Sequence, residues 1–163
     1  MPARLKLDLL HNFFLECGAR ANKIRVHEMC EDDTSRAMLG YLLVRGGVHI
    51  VAYAKALEKL TGVDVAKLLP VPDISNKCFP EARKHEAKGL HRILYRFSPE
   101  DCKEITEIWT GKHPEAGNPL EVQDGPPEGF TPPDLPPESQ LTAPLGPDID
   151  QEMFKDVAKK LFR

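Results

Sequence analysis

Two stretches decide the fold: Leu7–Arg20, LDLLHNFFLECGAR, and Gly40–Val63, GYLLVRGGVHIVAYAKALEKLTGV. Around the first, Leu9, Phe13, Cys17 and Ile24 fall on one helical stripe that Leu5, Leu10, Phe14 and Ala21 widen. The pattern predicts a helix over residues 3–29. Its first half is apolar nearly all round, so it expects neighbours on more than one side. The second stretch carries Leu39, Leu42, Leu43, Ile50, Tyr53 and Leu60 and predicts a helix over residues 34–61, with Gly62 as its stop. Gly46 and Gly47 in its middle cost roughly 1 kcal/mol each against Ala. Something must approach closely there.

Glu16 and His49 are 33 residues apart, and the midpoint falls at Asp32 and Asp33, where the chain turns. Both side chains therefore lie roughly 20 to 25 Å from the turn, opposite each other. A Glu in an apolar helix must be paired, protonated or metal-bound, because an uncompensated buried carboxylate costs several kcal/mol. The ordinary alternative is a salt bridge to Arg20. His49 shares its face with Leu42, Ala52, Tyr53 and Ala56. It reads either as a satisfied core residue or as a ligand with room left by small neighbours. A carboxylate with an imidazole suits manganese or iron. Lys23 follows Glu16 by two helical turns, so its ammonium either reaches the edge of the same site or extends to solvent.

Beyond the hairpin, a loop after Leu69–Pro72 precedes a helix expected from Pro80 towards Phe97 with a break near Gly89. Ser98, Pro99, Glu100 and Asp101 form an N-terminal helix signature, giving a helix that runs to Trp109. Ten of the fifteen prolines fall between Pro114 and Pro147, which makes that stretch extended chain. From Asp148, Ile149, Met153, Val157 and Leu161 return to helical spacing. The expected organisation is a helix hairpin at 1–62, an accessory loop and helices at 63–113, a Pro-rich acidic tail at 114–147 and a terminal helix at 148–163. Asp73, Ser75 and Asn76 offer oxygens to calcium, or simply a turn. The histidines at 11, 27, 85, 91 and 113 show no pair three or four apart and read as surface or structural residues.

The two opening stretches, followed by LLPVPDISNKCFPEA and HRILYRFSPED, resemble the manganese catalases from Leu7 to Trp109, and the run RGGVH at Arg45–His49 is the most specific part. The resemblance implies an all-α, ferritin-like four-helix bundle of which this chain carries one antiparallel hairpin, corresponding to the third and fourth bundle helices. It maps one Glu ligand onto Glu16 and one His ligand onto His49. Such bundles take a Glu from each of two helices and Glu-x-x-His from the other two. No Glu-x-x-His occurs in this sequence, and position 46 is Gly. Asp8-x-x-His11 is no substitute, since His11 lies about 140° round the helix from Glu16. The chain therefore resembles the C-terminal half of the family.

In the complete enzymes that it resembles, hydrogen peroxide is disproportionated to water and dioxygen at two manganese ions, without haem. One carboxylate and one imidazole are too few for two ions. The missing half is then expected from another chain or from absent residues, with self-association of two hairpins as a variant. The alternative is a truncated, non-catalytic subunit or assembly module. The family's hexamers, whose tails wrap neighbours, imply a homo-oligomer.

The chain has 163 residues, 41% hydrophobic content and a net charge of −3. Its Lys and Arg are dispersed among acids, which marks solvated helix faces and implies no nucleic-acid partner. No uninterrupted apolar run approaches membrane-spanning length, and no leader is evident. Cys17, Cys30, Cys78 and Cys102 lack Cys-x-x-Cys spacing, so zinc is disfavoured and free thiols in a reducing cytoplasm are expected.

Overall fold

A computed structural model describes residues 3–65, 73–97, 100 and 102–127. The chain divides into one compact unit through Pro127 and a second from Glu128. The expected terminal helix and most of the Pro-rich tail lie outside the described residues.

The hairpin forms as the apolar patterns require. Helix α1 spans Ala3–Met29 and α2 spans Asp33–Thr61. Asp32 caps α2, its side chain accepting from the Ser35 amide at 2.7 Å. Gly62 ends α2 in the left-handed region at φ 71°, and its amide reaches the Glu58 carbonyl. The last turn of α1 is closed from across the turn: the Arg36 guanidinium donates to the carbonyls of His27 and Cys30 at 3.0 and 3.1 Å. The His27 carbonyl also accepts from the Cys30 amide, and the Cys30 carbonyl lies just past the helix, so one cation from α2 ties down the end of α1 and sets the register of the two helices.

Helix α3, Pro80–Ala87, crosses α2 near its start. Glu81 accepts from Arg36 and contacts the buried His27, each at 3.0 Å, which joins the three helices. Its own backbone amide, then Arg36 and His27, hold the Glu81 carboxyl down at about 2. Gly40 is what lets α3 come so close, for a Cβ there would stand 2.7 Å from Glu81 Cβ and 2.8 Å from the Ala82 nitrogen.

The accessory region departs from the sequence expectation. The helix from Pro80 stops at Ala87, and Ile93–Arg96 is a strand, β1. It pairs in parallel with β2, Glu121–Asp124, in register Ile93 to Glu121 and Arg96 to Asp124. Part of the tail that reads as unpaired extended chain therefore supplies a sheet partner from 28 residues away, helped by the Arg96–Asp124 ion pair. Gly89, at φ 79°, makes the turn that separates helix from strand. The second accessory helix shrinks to one turn, α4, Ile105–Ile108, entered from Glu104. Ser98 and Pro99 lie outside the described residues.

The larger core cluster takes Phe13 from α1, Val48, Ile50, Val51 and Leu57 from α2, with Val65, Ile74 and Trp109, and a second, Leu43, Val44 and Ala82 with Ile24, Phe79 and Leu90, packs α3 on the hairpin. As a window average, α2 is apolar enough to cross a membrane, although no uninterrupted run is; half of that window is buried within the fold. Its apolar residues go into packing against α1, α3 and α4. The opposite side of α1 keeps Leu7, Phe14 and Leu15 more than half exposed.

Gly40→Ala is expected to lower stability by about 1–3 kcal/mol through overpacking against backbone. Gly18→Ala, where an added Cβ meets nothing within 4 Å, is expected to raise it by about 0.5–1 kcal/mol on helix propensity. Urea unfolding of the two variants checks the pair.

Candidate metal centre

Glu16 and His49 meet across the hairpin. His49 Nδ1 stands 3.1 Å from Glu16 Oε1, a hydrogen-bonded pair between α1 and α2. Glu16 is 22% exposed and His49 46%, so the pair sits at the rim of the fold and not in its core. Both line a cavity of about 390 Å³ whose other walls are apolar or small. Leu9 comes from α1, Ala52, Tyr53 and Ala56 from α2, Leu94 from β1, and Ile105 and Ile108 from α4. Three of the four neighbours expected around His49 are thus present at its cavity. The accessory region, by contrast, contributes walls that no helical pattern announces.

Arg20 does not neutralise Glu16. Its guanidinium is 3% exposed and donates to the carbonyls of Leu43, Asp73 and Ser75 and to Asn76 Oδ1, at 2.9–3.1 Å. Burial pushes its pKa down and Asp73 pulls the other way. With its donors engaged by neutral oxygens, Arg20 ties α1 to α2 and to the 73–76 loop and leaves Glu16 to His49. The same loop has little left for calcium. Asp73 Oδ1 accepts from the Ser75 amide, and the Asn76 side chain is shared between Arg20 and Glu86. These are turn and core contacts.

Lys23, two turns after Glu16 on α1, does not line the cavity of the pair. Its Nζ rests on Gly46, 3.3 Å from where a side chain there would begin. Gly46, three residues before His49, is therefore the close approach that the glycine pair implies.

The donor set is one carboxylate and one imidazole. Among the described residues no three His, Cys, Asp or Glu side chains are grouped to hold a metal ion. The pair matches part of a carboxylate–imidazole centre and does not by itself fit two ions.

The chain matches the model of the manganese-containing catalases over residues 3–163 and belongs to that family. The match runs through the tail as well as the hairpin. No curated protein sequence matches the chain.

A rim pair of this exposure contributes little to folding. Glu16→Ala and His49→Ala are each expected to change unfolding free energy by less than about 1 kcal/mol. A larger loss in denaturant titration would make the pair a structural one.

Proposed function

We propose that Glu16 and His49 are two donors of a dimanganese centre completed by helices other than α1 and α2, and that the completed centre disproportionates hydrogen peroxide. The observation that carries this reading is the register of the hairpin. It brings a carboxylate and an imidazole to 3.1 Å on the wall of a small cavity, in a member of the manganese-containing catalases.

In the overall reaction one peroxide is oxidised to dioxygen and another is reduced to water, and the manganese pair supplies that two-electron exchange when bound. What the chain's own residues do is narrower. Glu16 Oε1 and His49 Nδ1 are joined by a hydrogen bond, which a metal held by those donor atoms would replace. The apolar walls line one side of a cavity that stays open at the rim. No catalytic step is assigned to the two residues alone.

Completion needs a partner surface, and the exposed Leu7, Phe14 and Leu15 beside Glu16 provide one. The occupant is either the helices of the family's N-terminal half or a second copy of this hairpin. The four cysteines are free, in keeping with a reducing cytoplasm. A second reading, a non-catalytic assembly subunit, is favoured by the same short donor set.

The test is manganese per chain by elemental analysis, with dioxygen release from added peroxide in the presence of a haem poison. The expected result is bound manganese and poison-insensitive dioxygen, both lost in Glu16→Ala and His49→Ala. Manganese unaffected by either substitution removes the site. Manganese lost in the variants but never accompanied by dioxygen supports the assembly subunit.

A further inference from the structure

His91 and His113 are 22 residues apart in sequence and adjacent in space. Their rings stand edge to face with centroids 5.0 Å apart, and both side chains are buried. His113 Nδ1 accepts from the amides of Glu115 and Ala116 at 3.3 and 3.1 Å. That nitrogen is therefore the deprotonated one, and the neutral ring carries its hydrogen on Nε2. Among the described residues neither nitrogen of His91 has a hydrogen-bond partner. Buried polar groups left unpaired are uncommon and costly. Among the described residues no third donor stands with the two rings, so what they chiefly face is each other.

Their place in the fold gives the pair leverage. His91 lies two residues before β1 and His113 five residues after α4. The segment between them carries Leu94, Ile105 and Ile108, which wall the cavity at Glu16 and His49. It also carries Trp109, the single tryptophan, 2% exposed, whose Nε1 donates to the Arg92 carbonyl at 2.9 Å. Two neutral rings can pack this way. An imidazolium in place of either would be a desolvated charge against the other.

We propose that the His91–His113 pair is an acid-sensitive latch: while neutral it clasps the chain before β1 to the chain after α4, and protonation of His113 loosens the Leu94, Ile105 and Ile108 walls of the cavity beside Glu16 and His49. The charged groups lining the adjoining cleft are Lys77, Arg83, Glu86 and Glu115. Lys77 pairs with Glu115 at 3.9 Å and Glu86 accepts from Asn76, so both carboxylates are already engaged. Burial, and then His91, hold His113 down at about 4, with Glu115 opposing. The sign follows from that depression. The unfolded or released segment binds the proton more readily, so the latch is closed above about 6.5 and loses its hold as pH falls towards about 4. Glu81, held at about 2, keeps the three helices joined through that range.

Trp109 reports the latch directly. On acidification the expected result is a red shift of its fluorescence within that window, while the helical circular dichroism of α1 and α2 persists. His113→Asn keeps an acceptor for the two amides without a titrating ring. His91→Phe keeps the packing without the orphaned nitrogens. Each is expected to fold at neutral pH and to move the Trp109 transition down by about one pH unit or more. The proposal is overturned if the wild-type tryptophan does not shift before the helices melt, or if His91→Phe, tested alone should His113→Asn not fold, opens at the wild-type pH. Collapse of His91→Phe at neutral pH would also overturn it, by showing that the His91 nitrogens hold something the latch does not include.

Discussion

The clamp of Arg36 on the end of α1 is the contact on which the site depends. A helix leaves its last carbonyls without partners, and here a single guanidinium from the first turn of α2 takes two of them while also reaching Glu81 on α3. Sliding α1 by one residue along α2 would break both carbonyl contacts and carry Glu16 about 1.5 Å along and 100° round its axis. The Asp32 cap fixes where α2 starts, so the distance from turn to Glu16 and from turn to His49 is set at the same point. The meeting of the two side chains at 3.1 Å is a consequence of geometry laid down about four turns away.

Arg20 makes the complementary contribution. It stands one turn after Glu16 and is the obvious cation to neutralise it, yet its donors are committed to the Leu43, Asp73 and Ser75 carbonyls and to Asn76. Burying the guanidinium costs desolvation, and four neutral acceptors offset it. This arrangement leaves Glu16 facing His49 across the hairpin. The pair sits at the rim of this hairpin, beside the exposed Leu7, Phe14 and Leu15 of α1.

The hairpin was legible because its signals are local. Apolar spacing, Asp32 and Gly62 bound α1 and α2 to within a residue, and the distance count alone placed Glu16 opposite His49. What sequence reasoning missed is held by contacts between residues far apart. The segment Ile93–Arg96 becomes a strand only because Glu121–Asp124 pairs with it. Gly40 looks like any helix glycine until α3 crosses it, whereas Gly46 and Gly47 announced a close approach as a doublet. Arg20 reads as a surface partner for Glu16 since nothing local reveals the carbonyls of the 73–76 loop. His91 and His113 escape any search for helical spacing because a turn, a strand and a one-turn helix intervene.

The central claim is that Glu16 and His49 act together as metal donors, and paramagnetic broadening tests it most directly. Substoichiometric Mn(II) added to isotopically labelled protein should broaden the His49 ring and Glu16 side-chain resonances first and leave the other five histidines sharp. Broadening that spares His49, or that spreads evenly over the exposed carboxylates, would contradict the account.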